Sequence, residues 1–210
     1  MKYLVLIGDM EESRHIKDRK GAQAHFKAAC QKINKRRQHY GVVSPLMVTL
    51  GDEFQGVLMD PLRLWEVIAH LELEMFHICQ IRFSIGWGDI STELSSRSSL
   101  GMDGPAFYLA REGIESLRKR DGLYGITGLG FEQGLVQYAL DLWSAARRKW
   151  NFNRITTFCR LLEGVPVSKI ATELDVTEQA VYRTRRDGEL DTVVGMLSEI
   201  SKLINREEQG

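Results

Sequence analysis

The sequence predicts an α+β fold: a ferredoxin-like βαββαβ domain followed by an all-α C-terminal domain. Three observations predict it. Four short apolar runs, at residues 2–7, 46–50, 54–59 and 81–87, are rich in Val, Ile, Leu and Phe, which marks buried or half-buried strands. Apolar residues at helical spacing separate the first run from the second and the third from the fourth. From residue 152 onward strand-like runs cease and short amphipathic helical segments take over.

Taken in order, residues 2–7 form a continuous apolar strand closed by Gly8-Asp9, and residues 10–20 form a polar loop. Residues 21–40 form a helix with Ala22, Phe26, Ala29 and Ile33 inward. Its Lys27, Lys32, Lys35, Arg36 and Arg37 keep to the wet side or the C-terminal end, where they complement the helix dipole. Residues 41–45 connect to a hairpin, 46–50 and 54–59, tipped by Gly51-Asp52-Glu53. Asp60-Pro61 opens a helix to about residue 77, a side-chain cap followed by proline in the first turn. Leu64, Trp65, Ile68, Leu71 and Met75 form its buried face. Residues 81–87 are the fourth strand, and the Ser-rich loop 88–101 is long enough for a mobile flap. Gly104-Pro105 starts another helix to about residue 120, and residues 124–127 form a small fifth strand. The long helix 131–150 carries Leu135, Tyr138, Leu142, Trp143 and Ala146, placed to bridge domains or to dimerise. Right-handed crossovers make the first two strands parallel, with the third antiparallel between them. Trp65, Trp87, Trp143 and Trp150 are expected in the core or an interface.

Composition narrows the class. A chain of 210 residues suits one or two domains. Lys plus Arg and Asp plus Glu number 28 each, which argues against a strongly basic nucleic-acid coat and leaves room for a local basic patch. Three cysteines and five histidines show neither a disulfide framework nor zinc spacing. No apolar run approaches the roughly 18 residues of a membrane span, and the N-terminal run is too short for a signal peptide. The expectation is a cytoplasmic protein with no membrane partner.

The sharpest constellation lies at one sheet edge. The topology brings Asp9, at the end of the first strand, to the edge that carries Asp52 and Glu53 in the hairpin tip. Hard carboxylate oxygens, joined by a backbone carbonyl of Ile7 or Met10, suit Mg²⁺ or Mn²⁺ and leave positions open for phosphate oxygens. Asp9, Asp52 and Glu53 are therefore the expected metal ligands. The stretch Met10, Glu11, Glu12 and Ser13 leads into the first helix and is expected, with Gly51, to bind the phosphates of a nucleotide through backbone N–H groups. The plainer reading gives Asp52 a turn role and Asp9 a loop cap.

Four segments carry a resemblance: Leu6-Ile7-Gly8-Asp9-Met10-Glu11-Glu12-Ser13, Leu50-Gly51-Asp52-Glu53-Phe54, Ser84-Ile85-Gly86-Trp87-Gly88 and Gly104-Pro105-Ala106-Phe107-Tyr108-Leu109-Ala110-Arg111. They resemble the successive motifs of nucleotidyl cyclase palm domains. The resemblance implies that Asp9 and Asp52 are the metal-binding aspartates and that Arg111 serves the nucleotide. There are departures. The purine-selecting Lys expected four residues before Asp52 is Val48, the Asn of the last motif is Tyr108, and Arg111 falls one place early with Glu112 in its slot. A kept metal cradle with lost cyclising residues implies binding of metal or nucleotide without cyclase turnover. The alternative is a metal-dependent cyclase or phosphoryl-transfer enzyme. The whole chain, palm plus C-terminal helices, resembles the SatD family of bacterial proteins.

Residues 167–183 have helix-turn-helix spacing, with Ala171 as the small contact residue, Val176 in the turn and Val181 as anchor. Thr177 caps the recognition helix, Gln179 suits a base edge, and Tyr182, Arg183, Arg185 and Arg186 suit phosphates. Glu173, Asp175, Asp187, Glu189 and Asp191 suit a protein-interaction domain instead. The expected division is a palm-like domain at 1–130, a connecting helix at 131–150 and a helix-turn-helix domain at 151–210. The expected function is a regulator that binds double-stranded DNA, dimerises through 131–150 and senses metal or nucleotide with its palm. A binding module with neither activity is the third reading.

Overall fold

The computed structural model describes residues 1–49 and 51–207. Strands β1 (Tyr3–Met10), β2 (Val42–Val48), β3 (Glu53–Leu58), β4 (Ile81–Gly88) and β5 (Tyr124–Thr127) form one sheet in the order β2-β3-β1-β4-β5. β1 is antiparallel to β3 and β4, β2 is antiparallel to β3, and β5 runs parallel to β4. The ferredoxin-like topology is as expected, with β3 between β1 and β2.

Two strand boundaries differ from the expectation. β1 does not close at Gly8-Asp9. Gly8 stays in register with Phe54 and Phe83, and Asp9 with Glu53 and Arg82. A Cβ on Gly8 would sit 2.2 Å from the Phe54 ring, so glycine here permits close packing rather than a turn. β2 begins at Val42 and contains Pro45. An edge strand tolerates the missing donor, and the pairing with β3 shifts register on both sides of Ser44. Leu50, the expected end of that strand, lies outside the described residues.

Helices cover both faces. On one face α1 (Arg19–Lys35) and α2 (Pro61–Met75) pack against Leu4, Leu6, Phe54, Phe83 and Ile85. α1 starts where Asp18 accepts a bond from the Gly21 N–H, and it ends five residues short of Tyr40. α2 starts as expected, the Asp60 carboxylate accepting from the N–H groups of Leu62 and Arg63. On the other face α3 (Pro105–Arg120) covers Val5, Ile7 and Val57 with Ala106, Phe107, Ala110, Ile114 and Leu117. The Ser-rich loop does not stand free as a flap. Ser99 is fully buried, its hydroxyl donates to the Gln55 carbonyl, and the Gln55 amide donates to the Ser99 carbonyl.

α4 (Gln133–Arg147) follows β5, and then come α5 (Phe152–Leu162), α6 (Val167–Leu174), α7 (Glu178–Asp187) and α8 (Leu190–Glu207). α5 and α8 pack on α2, so the core runs unbroken from the sheet to Ile155, Phe158, Leu197 and Ile204. The four tryptophans are buried. Trp143 stacks on Tyr124 with centroids 3.7 Å apart, and the Trp65 indole N–H donates to Ser201 of α8 at 3.0 Å. Ile170, Ala171 and Val181 form a smaller cluster between α6 and α7.

Candidate functional site

The alternation of β1 points Val5, Ile7 and Asp9 toward α3. Register places Glu53 and Arg82 on either side of Asp9, so the three form a row across the sheet. Arg111 and Arg118 of α3, two helical turns apart, come down on that row. Both oxygens of Asp9 accept from Arg118, from Nη2 at 2.8 Å and Nε at 3.1 Å. Glu53 accepts from Arg111 Nη1 at 2.6 Å and from the Thr49 hydroxyl at 3.2 Å, with Arg118 3.6 Å away. Asp52 accepts from the Ser13 hydroxyl at 2.6 Å and lies 3.6 Å from Arg19. Asp9 and Glu53 are 6% and 2% exposed, so guanidinium partners offset the cost of burying their charge. The hydrogen bond to Asp9 raises the Arg118 pKa above its ordinary value.

A cavity of about 440 Å³ opens here, lined by Asp9, Met10, Glu12, Ser13, Arg14, His15, Asp52, Glu53, Arg82 and Arg118. Asp9, Asp52, Glu53, Met10, Glu12 and Ser13 thus meet as the sequence suggested. Glu11, Gly51 and Arg111 stand outside the lining. Glu11 accepts from Arg82 at 2.7 Å and from both terminal nitrogens of Arg148 at 2.8 Å. Burial would raise its pKa, but the Arg148 bond and the charges of Arg82 and Arg148 bring it below the ordinary value. Gly51 sits in left-handed backbone beside Gln23. Of the stretch expected to offer open N–H groups, Met10 and Glu11 give theirs to the carbonyls of Asp52 and Gln80, both at 2.8 Å, and Ser13 opens a single 3-10 turn, Ser13–His15. Arg14, His15, Arg82 and Arg118 are the residues that sequence reasoning missed. The signal for Arg118 is its place seven residues after Arg111 on the same helix face.

Asp9 gives both oxygens to Arg118, which also lies 3.6 Å from Glu53, while Asp52 accepts from Ser13, so a divalent cation shared by Asp9, Asp52 and Glu53 would have to compete with the Arg118 guanidinium.

A second charged cluster joins α2 to α5. His70, Cys159 and Glu163 place their possible ligand atoms within 4.8 Å of one another. His70 is far in sequence from Cys159 and Glu163, which hid the three from a search for short spacings. The His70 Nε2 lies 2.8 Å from Glu163, and Arg160 binds both Glu163 and Glu173. The His70 hydrogen bond leads the causes that hold Glu163 down to about 2 against burial, with Arg160 adding to it, and burial pushes the Cys159 thiol up. With the His70 ring and the Arg160 guanidinium already on Glu163, the cluster is a knot of hydrogen bonds and ion pairs.

Of the helix-turn-helix candidates, Thr177 accepts from the Ala180 N–H at 3.2 Å, and Gln179, Tyr182, Arg183 and Arg186 are exposed. Arg185 is turned to Asp191 at 2.8 Å and lies 5.6 Å from the Tyr182 ring centre.

The sequence model of the SatD family matches residues 3–163. The chain belongs to the SatD family. The match ends before α6, so the last three helices stand outside it. Among solved structures the chain is similar in shape to the guanylyl cyclase Cya2, at 11% identity and TM-score 0.39, over 55% of this chain and 70% of that one. It is also similar to a bacterial light-regulated adenylyl cyclase, at 14% identity and TM-score 0.45, over 60% of this chain and 43% of that one. No curated protein matches the chain. Among the described residues no helix is long and apolar enough to cross a membrane.

Proposed function

We propose that this SatD-family chain is a DNA-binding regulator in which α7 is the recognition helix. One observation carries the reading. Gln179, Tyr182, Arg183 and Arg186 recur at i, i+3, i+4 and i+7 on the solvent face, opposite the buried anchor Val181. Such a stripe offers a base-reading amide flanked by phosphate-binding side chains to the major groove. Arg185, held by Asp191, is the weakest of the expected contacts.

The palm cavity is the sensing part of this reading. Ser13, Arg14, Arg82 and Arg118 supply donors for the phosphates of a nucleotide. Mg²⁺ or Mn²⁺ enters only if Arg118 gives up Asp9. The catalytic alternative has less behind it. Tyr108, standing where the cyclase motif has Asn, is 60% exposed, bonds to Asp103 and does not line the cavity.

The test is fluorescence anisotropy of the full chain with duplex DNA across a salt series. Arg183→Ala and Arg186→Ala should each weaken binding on all sequences and reduce the salt slope by about 1. Wild-type affinity and slope in both variants would remove α7 as the reading helix. In parallel, ATP or GTP should raise the melting temperature by linkage, and no response to either would remove the sensor role.

A further inference from the structure

We infer that a second copy of this chain docks on the exposed face of α4, antiparallel and about a two-fold axis near Tyr138. Phe131, Leu135, Tyr138 and Leu142 are 100%, 75%, 74% and 75% exposed. Leu135, Tyr138 and Leu142, three and four residues apart, lie in one seam on α4, the spacing with which two helices interlock, and Phe131 sits in the turn two residues before the helix. Elsewhere the large exposed apolar side chains are scattered among loops and other helices. No charged residue interrupts this seam.

Three features select a second copy as the occupant. The first is shape. Beside the C-terminal half of the seam is a largely apolar cavity of about 440 Å³, lined by Leu142, Trp143, Ala146 and Met196 and also by the charged Lys149, Arg154, Asp187 and Glu189. Antiparallel pairing about Tyr138 sets Leu135 against Leu142 of the other copy and carries Phe131 to the region of Ala146, at that cavity. The two-fold axis repeats the insertion, so each copy gives one aromatic knob and takes one, as an isologous interface requires. The second is close approach. Gly134 lies in the first turn of α4, and a Cβ there would meet nothing within 4 Å in its own chain. A neighbouring helix passing close to the backbone gives this glycine a use. The third is area. Taking roughly 200 Å² for each large side chain, the four expose about 650 Å² per copy. Both copies together bury about 1,300 Å², above the roughly 1,000 Å² that a specific interface needs.

This inference does not rest on DNA binding. It is tested by sedimentation equilibrium of the full chain at high micromolar concentration. The expected mass is twice the 24.0 kDa of one chain, and Leu135→Glu with Leu142→Glu should halve it without changing the circular dichroism. A wild-type protein at single-chain mass overturns the inference, and so does a folded double variant that stays dimeric. If the double variant fails to fold, Tyr138→Cys in a Cys79→Ser background decides. Oxidation should link two chains through position 138, and a dimeric sample that does not cross-link overturns the placement on α4.

Discussion

Arg118→Ala probes the arrangement at the sheet edge most directly. The substitution leaves Asp9, whose side chain is 8% exposed, with only Arg82 at 3.8 Å. Glu53 keeps Arg111 at 2.6 Å and loses a charge at 3.6 Å. Removing one partner of a fully buried pair costs about 3–5 kcal/mol. The Arg118 side chain is 45% exposed, so water screens the pair and enters after truncation. A cost of about 2 kcal/mol is expected after that discount. For a chain of this size it corresponds to a melting temperature lower by about 4–8 °C. Thermal unfolding followed by circular dichroism measures it. The same experiment with Mn²⁺ tests the place that Arg118 holds. The vacated oxygens of Asp9 and Glu53 should now take the cation, so Mn²⁺ should stabilise the variant more than the wild type. Asp9→Asn combined with Arg118→Ala should cost less than the two singles added, because they share one interaction. If Arg118→Ala melts with the wild type, or if Mn²⁺ raises both melting temperatures equally, then the guanidinium is not standing in for a cation and the reasoning fails.

Three further outcomes are expected. Gly8→Ala should lower the denaturant midpoint by the equivalent of about 1–3 kcal/mol, the usual cost of overpacking, because its Cβ would lie 2.2 Å from the buried Phe54 ring. Glu163→Gln should lose stability in a pH-dependent way: the native carboxyl is held at about 2, below its ordinary 4.5. Its contribution is full above pH 4.5 and shrinks as pH falls toward 2, so urea midpoints of variant and wild type should converge across that window. Thr177→Ala should cost about 1 kcal/mol through the lost cap and speed hydrogen exchange at the first amides of α7, and unchanged exchange there would contradict the Thr177 bond.

Much of the fold was legible because local signals and tertiary needs agree. Asp60-Pro61 reads as a helix start and folds as one. Once the strand order is known, connection handedness alone brings Asp9 to the edge of Asp52 and Glu53. The misreadings arose where tertiary contacts override a local signal. Gly8-Asp9 has turn chemistry, yet it stays in a central strand because glycine admits the Phe54 ring and Asp9 finds Arg118, 109 residues later. No local pattern encodes a partner at that distance. α2 has the expected buried face of Leu64, Trp65, Ile68, Leu71 and Met75, and Glu66 and Glu72 are buried as well. Glu72 lies 3.0 Å from Arg147 and accepts from the Tyr124 hydroxyl. A helix that carries charge on the face turned to other helices gives no sequence sign that the face is covered until the later partners are placed.

The same long-range pairing changes the part assigned to Glu11. Its position beside Asp9 suggested a phosphate-facing residue, but its carboxylate points away from the cavity into a chain of ion pairs. Asp9 lies 3.8 Å from Arg82, Arg82 binds Glu11 at 2.7 Å, and Glu11 binds Arg148, the residue that ends α4. Arg148 also holds the carbonyl and carboxylate of Asp121, where α3 ends. The floor of the cavity is therefore wired to the C-terminal ends of α3 and α4. An anionic ligand that drew Arg82 toward itself would withdraw charge from Asp9 and Glu11 together, leaving Glu11 to Arg148 at the end of α4. Contiguity of this kind supplies a route, while coupling itself requires two states that the ligand binds unequally. The route makes one demand on the sensor reading: the ligand must act by competing for arginines, since those are the groups that reach from the palm to the helices carrying α7.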